Sequence, residues 1–304
     1  MNRILLAHGA AAVAALSAGT AVVATRFVIA ETDPLSLVFY RYVISALCLI
    51  PFLPLIRPRD GLGLAEYAKI ALFGILFFVL FPWAFNASLQ YIPAARGAVG
   101  LATIPIQTLI VAALFGQEQL SLHKSVGVLL AFAGIAAAFG TAAFGTAGAD
   151  YLLGDGLMLA GALCAAVYSV FGRATLMRHG PLFATALAMV FAVAALLPFI
   201  ALKHGLTTLP DFSRSAWLAI LFLGTLAGAV QFSLFMWALR WLPPTTTVLY
   251  LTLNPVTAMV LGIVMLGERL TLALVLGFAL VLAGIFVGSG AFRAIYQSLK
   301  PSDV

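Results

Sequence analysis

The sequence predicts an all-α membrane protein: ten transmembrane helices arranged as two five-helix inverted repeats. Three observations predict it. The 304 residues are 63% hydrophobic and only 9% charged, whereas soluble domains are about a quarter charged. Ten segments carry enough consecutive apolar residues to cross a bilayer, which takes about 20 in helical form. Finally, the second half of the chain repeats the first at a nearly constant offset.

The segments run roughly 4–25, 34–56, 66–90, 94–115, 122–141, 154–176, 181–202, 214–239, 244–266 and 271–291. Long unbroken apolar runs lack the alternation of a membrane β-barrel, so strands are not expected. The first segment, with one basic residue before a small apolar run, has the look of a secretory leader. Its full-length partner in the sixth segment predicts instead that it is retained as a helix.

The repeat fixes the order of the rest. AALSAGTAVVATRF (14–27) lies over GALCAAVYSVFGRA (161–174) at an offset of 147, and Arg26, Pro34 and Pro51-Phe52 meet Arg173, Pro181 and Pro198-Phe199. After the second segment the offset becomes 150. Tyr67 then meets Trp217, Gly74 meets Gly224, Pro105 meets Pro255, and Glu118 meets Glu268. The repeat divides the chain into two domains, 1–145 and 146–304. Five crossings per copy is an odd number, so the second copy enters the membrane from the opposite side. Inverted repeats of this kind place a substrate site near the bilayer midplane between the halves.

Lys and Arg set the orientation. With both termini in the cytoplasm, ten of the 16 basic residues fall on the cytoplasmic side and six on the far side, the sense of the positive-inside rule. The net charge of +6 belongs to loops flanking membrane segments and does not suggest nucleic acid. Cys48 and Cys164 lie in apolar runs without ligand or redox spacing, and read as small packing residues. No disulfide, metal or cofactor is expected.

Pro105 and Pro255 sit inside the fourth and ninth segments. Each removes one helical hydrogen bond and frees the carbonyl four residues earlier, on Leu101 and Leu251. A neighbouring side chain can satisfy such a carbonyl, or the kink can bend the helix around a watery pathway. Matched placement in both halves favours the second reading. Asn86, Gln107, Gln231 and Asn254 place side-chain amides in apolar segments. They either bridge helices or line a cavity, because lipid accepts neither donor nor acceptor. Trp83, Tyr168, Trp237 and Tyr250 lie deep enough to wall a cavity, with packing as the plain alternative. Arg41 lies about two turns into the second segment. It either snorkels to the interface or meets a substrate carboxylate near the outer mouth. Its counterpart is Ala188, so the fold does not demand it.

Ser121 and Thr271 stand where N-caps of the fifth and tenth helices belong, with Glu118 and Glu268 complementing the helix dipoles. Gly127/Gly134 and Gly277/Gly284 repeat at seven residues, nearly two turns, and predict close helix packing. No P-loop, HExxH or GxSxG motif is present, and no titratable set converges at one depth, so an enzyme is not expected.

The paired ends QEQLSLHKSVGVLLAFAGI (117–135) and GERLTLALVLGFALVLAGI (267–285), with Arg26, Pro34, Arg41 and Asn254-Pro255, resemble the EamA-type repeats of the drug/metabolite transporter superfamily. The resemblance covers the whole chain. The first copy departs by one residue inserted between Gly116 and Glu118, and Ala188 replaces an arginine in the seventh segment. The resemblance implies export of metabolites, amino acids or drugs across the bacterial inner membrane, and the overall look is similar to the YddG-type amino-acid exporters, including those for aromatic amino acids. The expected activity is secondary transport of a small zwitterion, an amino acid, by alternating access. The expected contacts are Asn86, Gln107, Gln231, Asn254, Trp83, Tyr168, Trp237, Tyr250 and Arg41, with Pro105 and Pro255 as kinks. The alternative is a drug or nucleotide-sugar carrier. The expected partners are membrane lipid and the small-molecule substrate; the sequence leaves the oligomeric state open, a monomer being one option.

Overall fold

In the computed structural model, residues 3–26, 28, 31–58, 61–92, 94–144, 149–204, 211–266 and 272–289 are described. Among them the structure is helical throughout, without a strand. Seven helical runs are long and apolar enough to cross a membrane, and two shorter apolar helices lie at 122–138 and 275–289.

The helices are α1 (Arg3–Arg26), α2 (Pro34–Ile56), α3 (Leu64–Ser88), α4 (Ala94–Leu101), α5 (Ile104–Leu114) and α6 (Leu122–Phe144). They continue with α7 (Tyr151–His179), α8 (Pro181–His204), α9 (Arg214–Trp241), α10 (Pro244–Leu249), α11 (Leu253–Leu266) and α12 (Leu272–Ser289).

Asp33 caps α2: its carboxylate accepts from the N–H groups of Leu35 and Ser36, and Pro34 occupies the first turn. Ser213 caps α9 by accepting from Ala216 N–H. Such caps satisfy the donors a helix start leaves free. The proline-bearing segments break where expected. α4 stops before Ala102–Thr103, and Pro105 opens α5. Tyr250–Thr252 forms a tighter 3₁₀ turn just ahead of Pro255. At each break a threonine hydroxyl meets a loosened carbonyl, Thr103 to Gly100 at 2.6 Å and Thr252 to Leu249 at 2.7 Å.

A second irregularity is marked in the sequence only in α3, where Pro82 lacks the N–H that would bond the Phe78 carbonyl. α3 widens into a π-turn at Leu76–Leu80 and α9 does so at Thr225–Val230. These stretches coincide at the 150-residue offset. α7 carries a third π-turn at Tyr168–Gly172. The counterpart stretch of α1 is regular helix.

The halves interlock. α1 packs on α9 and α11, and α7 packs on α3, α4 and α5. α2 and α8 pack on each other, and α6 packs on α12. The α6–α12 pair is antiparallel and reciprocal. A Cβ on Gly134 would lie 2.6 Å from the Gly277 carbonyl oxygen, and one on Gly284 would lie 2.6 Å from that of Gly127. Only a missing side chain permits backbones this close.

The reading of Glu118 and Ser121 needs correction. The Glu118 carboxylate accepts from Thr245 N–H at 2.9 Å and pairs with Lys124, so it serves the start of α10 and not that of α6. The Ser121 hydroxyl is buried without a partner; the carboxylate has reached across to a neighbouring helix, and no side-chain cap forms at Ser121. Glu268, Thr271 and the C-terminal tail lie outside the described residues.

Candidate functional site

A cavity of about 380 Å³ lies between the two proline breaks, beside the π-turn of α3 and next to Leu223 and Gln231, which flank that of α9. Small side chains of α1 (Ala14, Ala18, Ala21) form one wall, and Phe81, Phe85, Asn86 and Leu89 of α3 another. Pro105 and Ala102 come from the first break, Thr252, Asn254 and Pro255 from the second. α2 adds Arg41 and Tyr42, α7 adds Ala165 and Ser169, and α9 adds Leu223, Gln231, Phe232 and Phe235. α6, α8 and α12 contribute nothing to this lining. The alanines create the space, and aromatic rings make most of its surface apolar, the usual character of a small-molecule site.

The cavity extends toward Thr25 and Leu89, the last turns of α1 and α3. At its other end rings close it. Phe77 stacks on Tyr168 with centroids 4.4 Å apart and meets Phe232 at 5.7 Å, while Phe78 meets Phe232 at 5.2 Å and Tyr42 at 5.1 Å. Each such pair contributes about 0.5–1.5 kcal/mol beyond its buried area. Further along, the Glu66 carboxylate ties α3 to the end of α7, bonding His179 at 2.9 Å and Arg178 at 3.1 Å.

Polar groups at the cavity are few and incompletely bonded. Arg41 turns inward and does not snorkel: its Nη2 donates to the Ala227 carbonyl at 2.5 Å. Its guanidinium carbon lies 5.6 Å from the centres of both the Tyr42 and Phe232 rings. Arg41 Nε, Gln231 Oε1 and Asn254 Oδ1 are buried without a hydrogen-bond partner. A buried unpaired polar atom costs roughly 1–3 kcal/mol, and the three residues that carry these atoms all line the one cavity. Among the described residues, Arg41 is the one charged residue in the lining, and no carboxylate accompanies it.

The structure thus brings Arg41, Asn86, Gln231, Asn254, Pro105 and Pro255 together. The remaining expected contacts lie elsewhere. Gln107 bonds Thr103 at 3.1 Å and the Leu159 carbonyl at 3.4 Å, holding α5 against α7. Trp83 is 42% exposed on the outside of the bundle. Tyr168 stands behind Phe77. Trp237 packs in a separate cluster around α1, and the Tyr250 hydroxyl bonds His8 Nδ1 at 3.0 Å. Phe81, Phe85 and Phe235, absent from the expected set, form the ring-bearing wall. Among the described residues no group of His, Cys, Asp and Glu could hold a metal ion.

Comparison with known proteins agrees with this architecture. The model of the EamA-like transporter family matches residues 5–140 and again 152–289. An uncharacterized transporter of Archaeoglobus fulgidus is 26% identical over 88% of this chain and 93% of its own. The uncharacterized inner membrane transporter YedA of Escherichia coli K12 is 29% identical over 78% and 76%. A probable terminal-alkyne amino-acid exporter of Streptantibioticus cattleyicolor is 28% identical over 76% and 74%. A solved crystal structure at 22% identity superimposes with a TM-score of 0.77 over 95% of this chain and 98% of its own, which speaks to fold alone. The chain is an integral membrane protein and belongs to the EamA-like transporter family.

Proposed function

We propose that the chain is an inner-membrane secondary transporter exporting a small zwitterion, an amino acid, by alternating access. The observation that carries this reading is the trio of unpartnered atoms at one apolar cavity: a guanidinium N–H and two amide oxygens. A carboxylate suits the first. An ammonium suits the amide oxygens, which are strong neutral acceptors. The rings of Phe81, Phe85 and Phe235 then face the apolar side chain of the guest. The terminal-alkyne amino-acid exporter among the relatives points the same way.

The proposed scaffold is ten helices in two inverted repeats, 1–145 and 146–304. In it α4 and α5 form one broken span, as do α10 and α11. The reciprocal antiparallel contact of α6 with α12 and the exchanged packing of α1 and α7 support it. A two-fold axis in the membrane plane relates residue pairs in this way, and a parallel duplication does not. With both termini cytoplasmic, the cavity faces outward, and the Phe77–Tyr168–Phe232 cluster with the Glu66–His179 contact closes the inner side.

The alternative, a carrier of cationic drugs, finds less support. Such a guest seeks a buried carboxylate, and the lining has a lone arginine instead. Proteoliposomes loaded with labelled amino acids and, separately, with lipophilic cations test the choice. Saturable release of an amino acid is expected. Release of the cations alone would replace this reading by the alternative, and release of neither would remove transport by this cavity.

A further inference from the structure

The π-turn of α9 and the arginine on it form one device. A π-turn carries an extra residue, so its carbonyls drift out of line with the helical ladder. Arg41 donates to one of them, Ala227, and Ser45 of the same helix donates to Gly224 at 2.7 Å. α2 is therefore fastened at the entry of the irregular turn and within it. The equivalent π-turn of α3 forms without such a fastening, since Ala188 stands where Arg41 would be and Ala192 where Ser45 would be. There Pro82 cannot donate to the Phe78 carbonyl and opens the ladder by itself, whereas α9 has Phe232 at that position and Arg41 on its turn.

We propose that Arg41 is the anion receptor of the cavity and, at the same time, the latch on the α9 π-turn. A carboxylate entering the cavity takes the guanidinium from the Ala227 carbonyl, and the turn is released. This rests on reading the cavity as a substrate site. The exchange is favourable in kind, because a carboxylate is a stronger partner for guanidinium than a neutral carbonyl. Little motion is needed: Arg41 already lines the cavity, its Nε is unpartnered, and the rings of Tyr42 and Phe232 guide it on either side.

Release matters because the turn sets the rotation of the rest of α9. One residue passing out of a π-turn rotates the downstream helix by about 100°, the angle per residue of an α-helix. Downstream stand Gln231, Phe232 and Phe235. Phe232 and Phe235 belong to the ring cluster that closes the cavity floor. A guest that brings a carboxylate therefore loosens the floor beneath itself. A neutral guest of the same shape occupies the cavity and leaves the floor shut.

Hydrogen exchange on the full chain in lipid nanodiscs tests this, with benzoate as the anionic probe and benzamide as its neutral isostere. Binding of each is read separately by isothermal titration calorimetry. Benzoate should speed exchange across 225–232 by about tenfold, as loss of one charge-assisted bond implies, and benzamide should not. Arg41→Gln should exchange fast there without any ligand and ignore benzoate. Arg41→Lys, which keeps a cation but loses the planar fork, should respond weakly, and it stands in if Arg41→Gln loses helical content. Benzoate that fails to bind, or binds and leaves this segment unchanged, overturns the proposal. So does a folded Arg41→Gln protein with wild-type exchange. Amino-acid flux is scored apart: absent flux with an intact benzoate response sinks only the transport reading, and intact flux without the response sinks only this one.

Discussion

Glu118 accepts a hydrogen bond from the backbone N–H of Thr245 at 2.9 Å, across 127 residues of chain. Its carboxylate thereby holds the first turn of α10, and Lys124 neutralises it from the α6 side. Glu118→Ala should lower stability by about 1.5–3 kcal/mol, the worth of a hydrogen bond to a charged group. Glu118→Gln, which keeps an acceptor, should lose less. Thermal unfolding in detergent measures both, and equal melting of all three proteins would show that the contact contributes nothing.

Gly134→Ala should weaken the α6–α12 seam. Its new Cβ would lie 2.6 Å from the Gly277 carbonyl oxygen, a contact the backbone cannot accommodate without moving apart. Overpacking of this order costs about 1–3 kcal/mol. Gly156→Ala, with open space around it, serves as the control. A melting temperature lowered for the first and kept for the second is the expected pair.

Asn254→Ala and Gln231→Ala should each slow amino-acid flux, by up to about tenfold if the lost bond is worth near 1.4 kcal/mol, with folding intact. Trp83→Leu should leave flux within about twofold, because its ring lies away from the cavity. Initial rates of efflux from proteoliposomes decide it. A Trp83 variant slower than the Asn254 variant would relocate the site.

Acid should loosen the connection between the α1–α2 loop and the end of α8. Burial raises the Asp33 carboxyl, but Lys203 and the hydroxyl and N–H of Ser36 outweigh it and hold the carboxyl at about 2, below its ordinary 3.8. A depressed carboxylate stabilises above its unfolded value and loses that contribution as pH falls from 3.8 toward about 2. Lys203 is half exposed, so the effect is modest, at most about 1 kcal/mol for such a pair. Lys203→Met should flatten the melting curve over this range; an unchanged slope would mean that the pair is not formed.

Placing cysteines at Tyr67 and Trp217 tests the opposed orientation of the halves. These positions coincide at the 150-residue offset and open α3 and α9. An impermeant thiol reagent added to sealed cells should label the second and spare the first. Labelling of both from one side would refute the inverted arrangement.

Much of this fold is legible in the residues because proline and glycine act locally. Pro105 and Pro255 mark breaks since a ring nitrogen has no proton to give, and Gly127, Gly134, Gly277 and Gly284 mark a seam since they have no side chain. The π-turns are less legible. Leu76–Leu80 and Thr225–Val230 themselves contain no proline, and the Pro82 that follows the first signals a lost bond without telling a wide turn from a kink. The cavity is half legible. Asn86, Gln231 and Asn254 stand out by the cost of an amide in lipid. Depth alone does not tell which face a ring occupies, so Trp83 and Trp237 look equivalent to Phe85 and Phe235 in the sequence. Likewise Glu118 shows its charge but not its direction, and its partner is on another helix.

The glycine seam between α6 and α12 has a consequence for ancestry. Each copy presents a surface whose complement is the same surface turned over, and each copy's first helix lodges in the other copy. A single unduplicated ancestor would therefore have fitted its own twin, provided half of the molecules were inserted upside down. On the proposed inverted arrangement, fusion of two such genes would free each half to drift, and Arg41 in one half with Ala188 in the other is the kind of difference such drift would produce.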